Sequence, residues 1–110
     1  MPEVPTAAEL ALLDPDGTFM QRLAGDRAAL AALAPALDEA GDDGALARIQ
    51  LLAHRLAGAA GTFGHTEVGE AALDLEEGVI ALREGEGDGA VAAGQLAVLL
   101  ATLDAALRLK

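Results

Sequence analysis

Apolar residues recur three and four positions apart along most of the chain, in blocks separated by Gly, Pro and Asp. That spacing marks amphipathic helices, whereas strands alternate every second residue. The breakers are Pro15-Asp16-Gly17, Gly25-Asp26, Gly41-Asp42-Asp43-Gly44, Gly61 to Gly64, and Gly85-Glu86-Gly87-Asp88-Gly89. The blocks between them predict short helices over 6–13, with Thr6 as N-cap and Glu9 three residues on, and over 18–24. Asp26 is then expected to cap a helix to about residue 40, kinked at Pro35, with Leu30, Leu33 and Leu37 on one face. Asp42 or Asp43 caps the next helix, to about residue 62, and Thr66 caps another that ends before Gly85. The last helix spans about 89–109, with Val91, Leu96, Leu99, Leu100, Leu103 and Leu107 as its apolar set.

Four longer helices joined by short loops predict an all-α fold: an antiparallel up-down four-helix bundle with a short N-terminal helical extension over one end. The reading is a single domain over 1–110 with its bundle core at about 19–107. Residues 85–89 form a hairpin connection rather than a linker.

Composition supports this picture. At 110 residues the chain holds one core, and it is rich in Ala and Leu with only 2% aromatics, a helical bias. Cysteine is absent, which removes disulfides and thiol chemistry from consideration. The stretch MPEVPTAAEL lacks the basic-then-apolar order of a signal peptide, and no run of 18 uninterrupted apolar residues appears. A soluble, cytoplasmic chain without a membrane span is expected. The net charge of −11 disfavours nucleic acid and anionic membranes and favours a monomer.

The segment HRLAGAAGTFG, from His54 to Gly64, departs from an ordinary helix. Gly in a helix interior costs about 1 kcal/mol relative to Ala, and this segment accepts it at Gly58 and Gly61. On a helical wheel Leu52, Leu56 and Phe63 fall opposite His54, so the histidine points outward. Its outward face carries Ala47, Gln50, Leu51, Ala57, Gly58 and Gly61, with Arg48 and Arg55 together on one flank. Two readings follow. His54 is a surface histidine and the glycines serve helix packing, or the face is cleared so that another protein can bring a reactive atom to the imidazole. In the next helix Val68, Ala72, Leu75, Val79 and Leu82 form the apolar stripe, with Glu76 at its edge. Antiparallel pairing would let Glu76 reach His54 and fix its tautomer. A solvated glutamate is the alternative.

These residues resemble the histidine-containing phosphotransfer (HPt) domain of bacterial phosphorelays. That family's His-x-Leu-Lys-Gly pattern, followed by small residues and Gly, stands here as His54-Arg55-Leu56-Ala57-Gly58-Ala59-Ala60-Gly61. The flanking LLAHRLAG and AALDLEEGV also fit. The resemblance implies that His54 exchanges a phosphoryl group with the aspartate of a receiver domain, and that Glu76 interacts with the histidine or its phosphoryl group. It also implies a receiver-docking face of Gln50, Leu51, Arg55, Ala57, Gly58 and Gly61. The family's usual Lys is Ala57 here, which leaves Arg55 or the partner to supply the charge. No GxxxxGK[ST] loop is present, so the chain is read as a relay intermediate and not a kinase. No cofactor is expected on the chain itself, with Mg²⁺ on the partner receiver. His65 competes as acceptor and as metal ligand, but two histidines eleven apart without cysteine are a poor metal signal, and no metal site is assigned. The rival function is a helical module that docks receivers or kinases without accepting phosphate.

Overall fold

A computed structural model describes residues 16–39 and 42–108. The helix expected over 6–13, with Thr6 and Glu9, lies outside them. The described elements are α1 (Thr18–Leu33), α2 (Pro35–Glu39), α3 (Asp43–Thr62), α4 (Thr66–Arg83) and α5 (Gly89–Leu107). Each long helix packs against two others in the cyclic order α1, α3, α4, α5, and α2 leans mainly on α5. This is the expected all-α, up-down four-helix arrangement.

Two expected boundaries move. Gly25-Asp26 does not separate two helices, and Asp26 is not an N-cap: α1 runs through both residues. The propensity cost of one Gly is about 1 kcal/mol, and it is outweighed by the buried face of Phe19, Met20, Leu23 and Leu30 that a continuous helix presents. Pro35 splits the expected helix rather than kinking it. α1 stops at Leu33, Ala34 bridges, and Pro35 opens α2. At a first helical position the missing proline N–H would have had no intrahelical partner.

The other ends follow local chemistry. The Asp42 carboxylate accepts from the Ala45 N–H at 3.0 Å and caps α3, and Asp88 accepts from the Ala90 N–H at 2.8 Å and caps α5. Thr66 is not the cap of α4. It is the first helical residue, preceded by His65, which makes no side-chain cap. α3 and α4 both close with a left-handed glycine, Gly64 (φ 82°) and Gly85 (φ 77°). At the first, the His65 N–H reaches the Ala60 carbonyl at 2.8 Å, and the Gly64 N–H reaches that of Gly61 at 3.2 Å. This paired pattern reverses the chain within three residues and satisfies carbonyls that the helix end leaves open.

The core is built from Leu23, Leu30 and Leu37 with Ile49, Leu52, Leu56, Leu75, Val79, Leu96, Leu99 and Leu103. Val91 was expected with the apolar set of α5 but stands outside, 56% exposed, as does Val98. α5 is apolar on nearly every side, so periodicity does not tell its inner face from its outer one. By length and mean hydropathy (1.8) it is also able to cross a membrane, while here Leu96, Leu99 and Leu103 fill the bundle core. Arg27 of α1 grips Asp104 of α5 through two hydrogen bonds, at 2.8 and 3.2 Å. The hydrogen bonds from Arg27 hold the Asp104 carboxyl below the usual carboxylate range.

Space at two α5 glycines predicts opposite effects. A Cβ at Gly89 would collide with the Leu37 backbone carbonyl, whereas one at Gly94 meets nothing. Gly89→Ala is expected to destabilise by about 1–3 kcal/mol through overpacking, and Gly94→Ala to stabilise by up to about 1 kcal/mol through helix propensity. Denaturant melts of the two variants check the signs. The Arg27–Asp104 pair predicts a pH effect. Because the folded pKa of Asp104 is lowered, its contribution is present above the unfolded carboxylate value of about 3.9 and lost as pH falls through the lower, folded value. Stability of Asp104→Asn should therefore decline less steeply in that acid range than wild type, read by chemical denaturation at a series of pH values.

Candidate functional site

α3 and α4 form an antiparallel pair whose seam is lined by small residues at one end and long polar ones at the other. Near the connecting turn, Gly69 of α4 sits over Ala57 and Ala60 of α3: a Cβ on Gly69 would stand 3.7 Å from the Ala57 carbonyl oxygen and the Ala60 Cβ. Further along, His54 faces Glu76, and further still Gln50 faces Arg83. Numbers fall on α3 as they rise on α4, the register of an antiparallel hairpin.

His54 is exposed, with 71% of its side chain open to solvent, while Glu76 is only 14% exposed at the edge of the apolar stripe. The His54 Nδ1 and the Glu76 Oε2 lie 2.7 Å apart. An ionised carboxylate only accepts hydrogen bonds, so in the neutral imidazole this contact places the proton on Nδ1 and leaves the Nε2 lone pair free. The half-buried glutamate is held by its helix, so the imidazole orientation is set by the bundle.

The expected docking face is brought together in part. Leu51 (49% exposed), His54, Arg55, Gly58 and Gly61 stand open on α3. A Cβ at Gly58 or Gly61 would meet nothing within 4 Å, so neither glycine serves packing inside the bundle. Gln50 and Ala57 are half-buried towards α4, and Ala57 also packs against the core. Arg55 shares a flank with Arg48, turned towards α1. There burial pushes the half-buried Asp26 carboxyl up, opposed by the charges of Arg55, Arg22 and Arg48. His65 is 1% exposed, with its ring centroid 5.8 Å from that of Phe19. A partner has no access to it, whereas His54 is open.

Sequence reasoning missed two contributors on α4. Leu73, 48% exposed, flanks His54 from the other side of the groove that Ala57, Gly58, Gly61 and Gly69 line. Arg83 closes a second groove with Ala47, Gln50, Leu51, His54 and Glu76. Their signal was the four-three spacing of positions 69, 73, 76, 80 and 83 on the face of α4 that meets α3, which the apolar stripe alone did not reveal. No group of three or more His, Asp or Glu arranged to hold a metal is found among the described residues.

The family model for the Hpt domain matches residues 17–108. The chain belongs to the Hpt domain family. No curated protein and no solved structure gave a match. Hpt domains carry phosphoryl groups on histidine in phosphorelays, act as carriers rather than kinases, and interact with receiver domains and kinases. The match spans α1 to α5 and so takes in both helices of the His54–Glu76 pair.

The open space at Gly58 makes a prediction about this Hpt domain. Gly58→Ala should raise stability by about 1 kcal/mol, equivalent to several degrees in Tm. Gly58→Leu should still fold, because its side chain extends into solvent. Differential scanning calorimetry of both variants decides between an access role and a packing role, the latter requiring Gly58→Leu to be strongly destabilised.

Proposed function

We propose that this Hpt domain relays a phosphoryl group between His54 and receiver-domain aspartates in a bacterial two-component phosphorelay. The observation that carries the reading is the 2.7 Å contact between Glu76 and Nδ1 of a histidine whose ring is 71% exposed. In the transfer step the Nε2 lone pair attacks the phosphorus of an aspartyl phosphate. An N–P bond forms as the P–O bond breaks, and the aspartate leaves as a carboxylate with the bonding pair. The imidazolium that results keeps its Nδ1 proton, shared with the Glu76 carboxylate, which offsets the new positive charge. Run in reverse, the same step passes the phosphoryl group on.

Positioning and charge stabilisation are most of what phosphoryl transfer requires. This chain contributes an oriented nucleophile on a face that Gly58 and Gly61 keep low. Leu51 and Leu73 give apolar contact on either side. Gln50, Arg55 and Ala57 complete the receiver-docking surface in this reading. Mg²⁺ belongs to the acidic pocket of the receiver, and the chain works as a cytoplasmic monomer.

Incubation with a phosphorylated receiver tests the assignment. Wild type should acquire acid-labile, base-stable phosphate, and His54→Gln none, with its melting temperature nearly unchanged because an exposed residue contributes little to stability. Glu76→Ala should slow transfer by about 10–100-fold while leaving His54 the labelled site. Gly58→Leu should bind and transfer poorly. A wild type that binds receivers but stays unlabelled would favour the phosphate-independent docking module instead.

A further inference from the structure

The phosphoryl group that His54 would carry brings about −1.5 to −2 charges at neutral pH. Its immediate neighbour Glu76 is an acid, and position 57 is alanine. A cation of the chain near the site would offset that charge, and the described arginines differ in how they are placed. Arg22, Arg48 and Arg55 act on Asp26 from the α1 flank. Arg27 is bound to Asp104 between α1 and α5, and Arg108 donates to the Asp104 carbonyl at the end of α5. Arg83 alone among these lines a groove with His54 and Glu76.

Its guanidinium is already held in place. Nε and Nη2 donate to the two carboxylate oxygens of Asp43 at 2.9 and 3.1 Å, and Nη1 donates to the Gln50 Oε1 at 2.7 Å. The bidentate edge is therefore anchored on an acid at the start of α3. The remaining edge rests on a neutral amide one helical turn before His54. A neutral acceptor holds a guanidinium less strongly than a phosphoryl dianion does.

We propose that Arg83 is the cation that balances phosphoryl charge on His54, with Asp43 as its anchor and Gln50 as the resting partner of its free edge. The role rests on His54 being the phosphoacceptor. Asp43 and Gln50 then act together. They hold the guanidinium in place in the unphosphorylated protein, so that little reorganisation accompanies transfer.

The full chain, phosphorylated with phosphoramidate and followed by ³¹P NMR, tests this. A nearby cation favours the doubly ionised phosphoryl group and lowers the pH at which its signal titrates. Arg83→Gln should raise that midpoint by about half a pH unit or more. Asp43→Asn removes an acid from the site while Gln50 still holds the arginine, and should leave the midpoint unchanged or lower it. A purely structural clamp predicts that both variants move together, so parallel shifts, or no rise in Arg83→Gln, overturn the proposal. Should Arg83→Gln fail to fold by circular dichroism, Arg83→Lys takes its place: a midpoint near wild type supports the charge role, and a rise overturns it. A wild type without any phosphohistidine signal rejects the reading of His54, and the role of Arg83 with it. A normal wild-type signal with an unmoved Arg83→Gln rejects Arg83 alone.

Discussion

The three-residue reversal from Phe63 to His65 fixes how α3 and α4 lie on each other, and everything at the site depends on that register. Gly64 supplies the left-handed backbone that lets the Ala60 carbonyl accept from His65. Phe63 then stacks on Phe19 of α1, with ring centroids 4.1 Å apart and planes 9° from parallel. His65 is buried beside the same ring. The turn is thus tied to a third helix as well as to the two it joins. A slip of one residue on α4 would rotate its contact face by about 100°. Glu76 would then leave Nδ1, and Arg83 would leave both Asp43 and Gln50.

Much of this was legible in the sequence because the signals were local. The Asp-rich breaker before α3 marks a real cap at Asp42, and the Gly-rich one before α5 a real connection, closed by an Asp88 cap that the pattern did not single out. The wheel of α3 separates His54 from Ile49, Leu52 and Leu56 correctly, since that helix has a clear apolar stripe. Antiparallel pairing alone placed Glu76 near His54. What was not legible required tertiary information. Gly25 looks like a break until Phe19, Leu23 and Leu30 are seen sharing one buried face. Val91 looks like core because α5 offers apolar residues all round and only packing selects Leu96, Leu99 and Leu103. Arg83 lies two turns beyond Glu76, and nothing local links it to Gln50, 33 residues earlier.

The site face has a mixed character. Apolar Leu51 and Leu73 bracket a polar centre, and two glycines remove the bulk an exposed helix normally displays. The cations of this strongly acidic chain are not spread evenly. Three arginines gather on the α1 side of His54 around Asp26, and a fourth is held on the α4 side by Asp43. The imidazole therefore stands between two groups of arginines, each set against an aspartate, in a molecule whose net charge is −11.

The partners His54 and Glu76 are separated by only 22 residues and belong to a single helical hairpin. Contacts of such short range close quickly and with little loss of chain entropy. The His54–Glu76 geometry is consequently a property of one supersecondary unit, and α1 and α5 serve mainly to bury its back. The outer helices touch this unit chiefly through its buried back and, at the turn, through Phe19 of α1. The His54–Glu76 geometry is thus local in the chain even though the core that supports it is not.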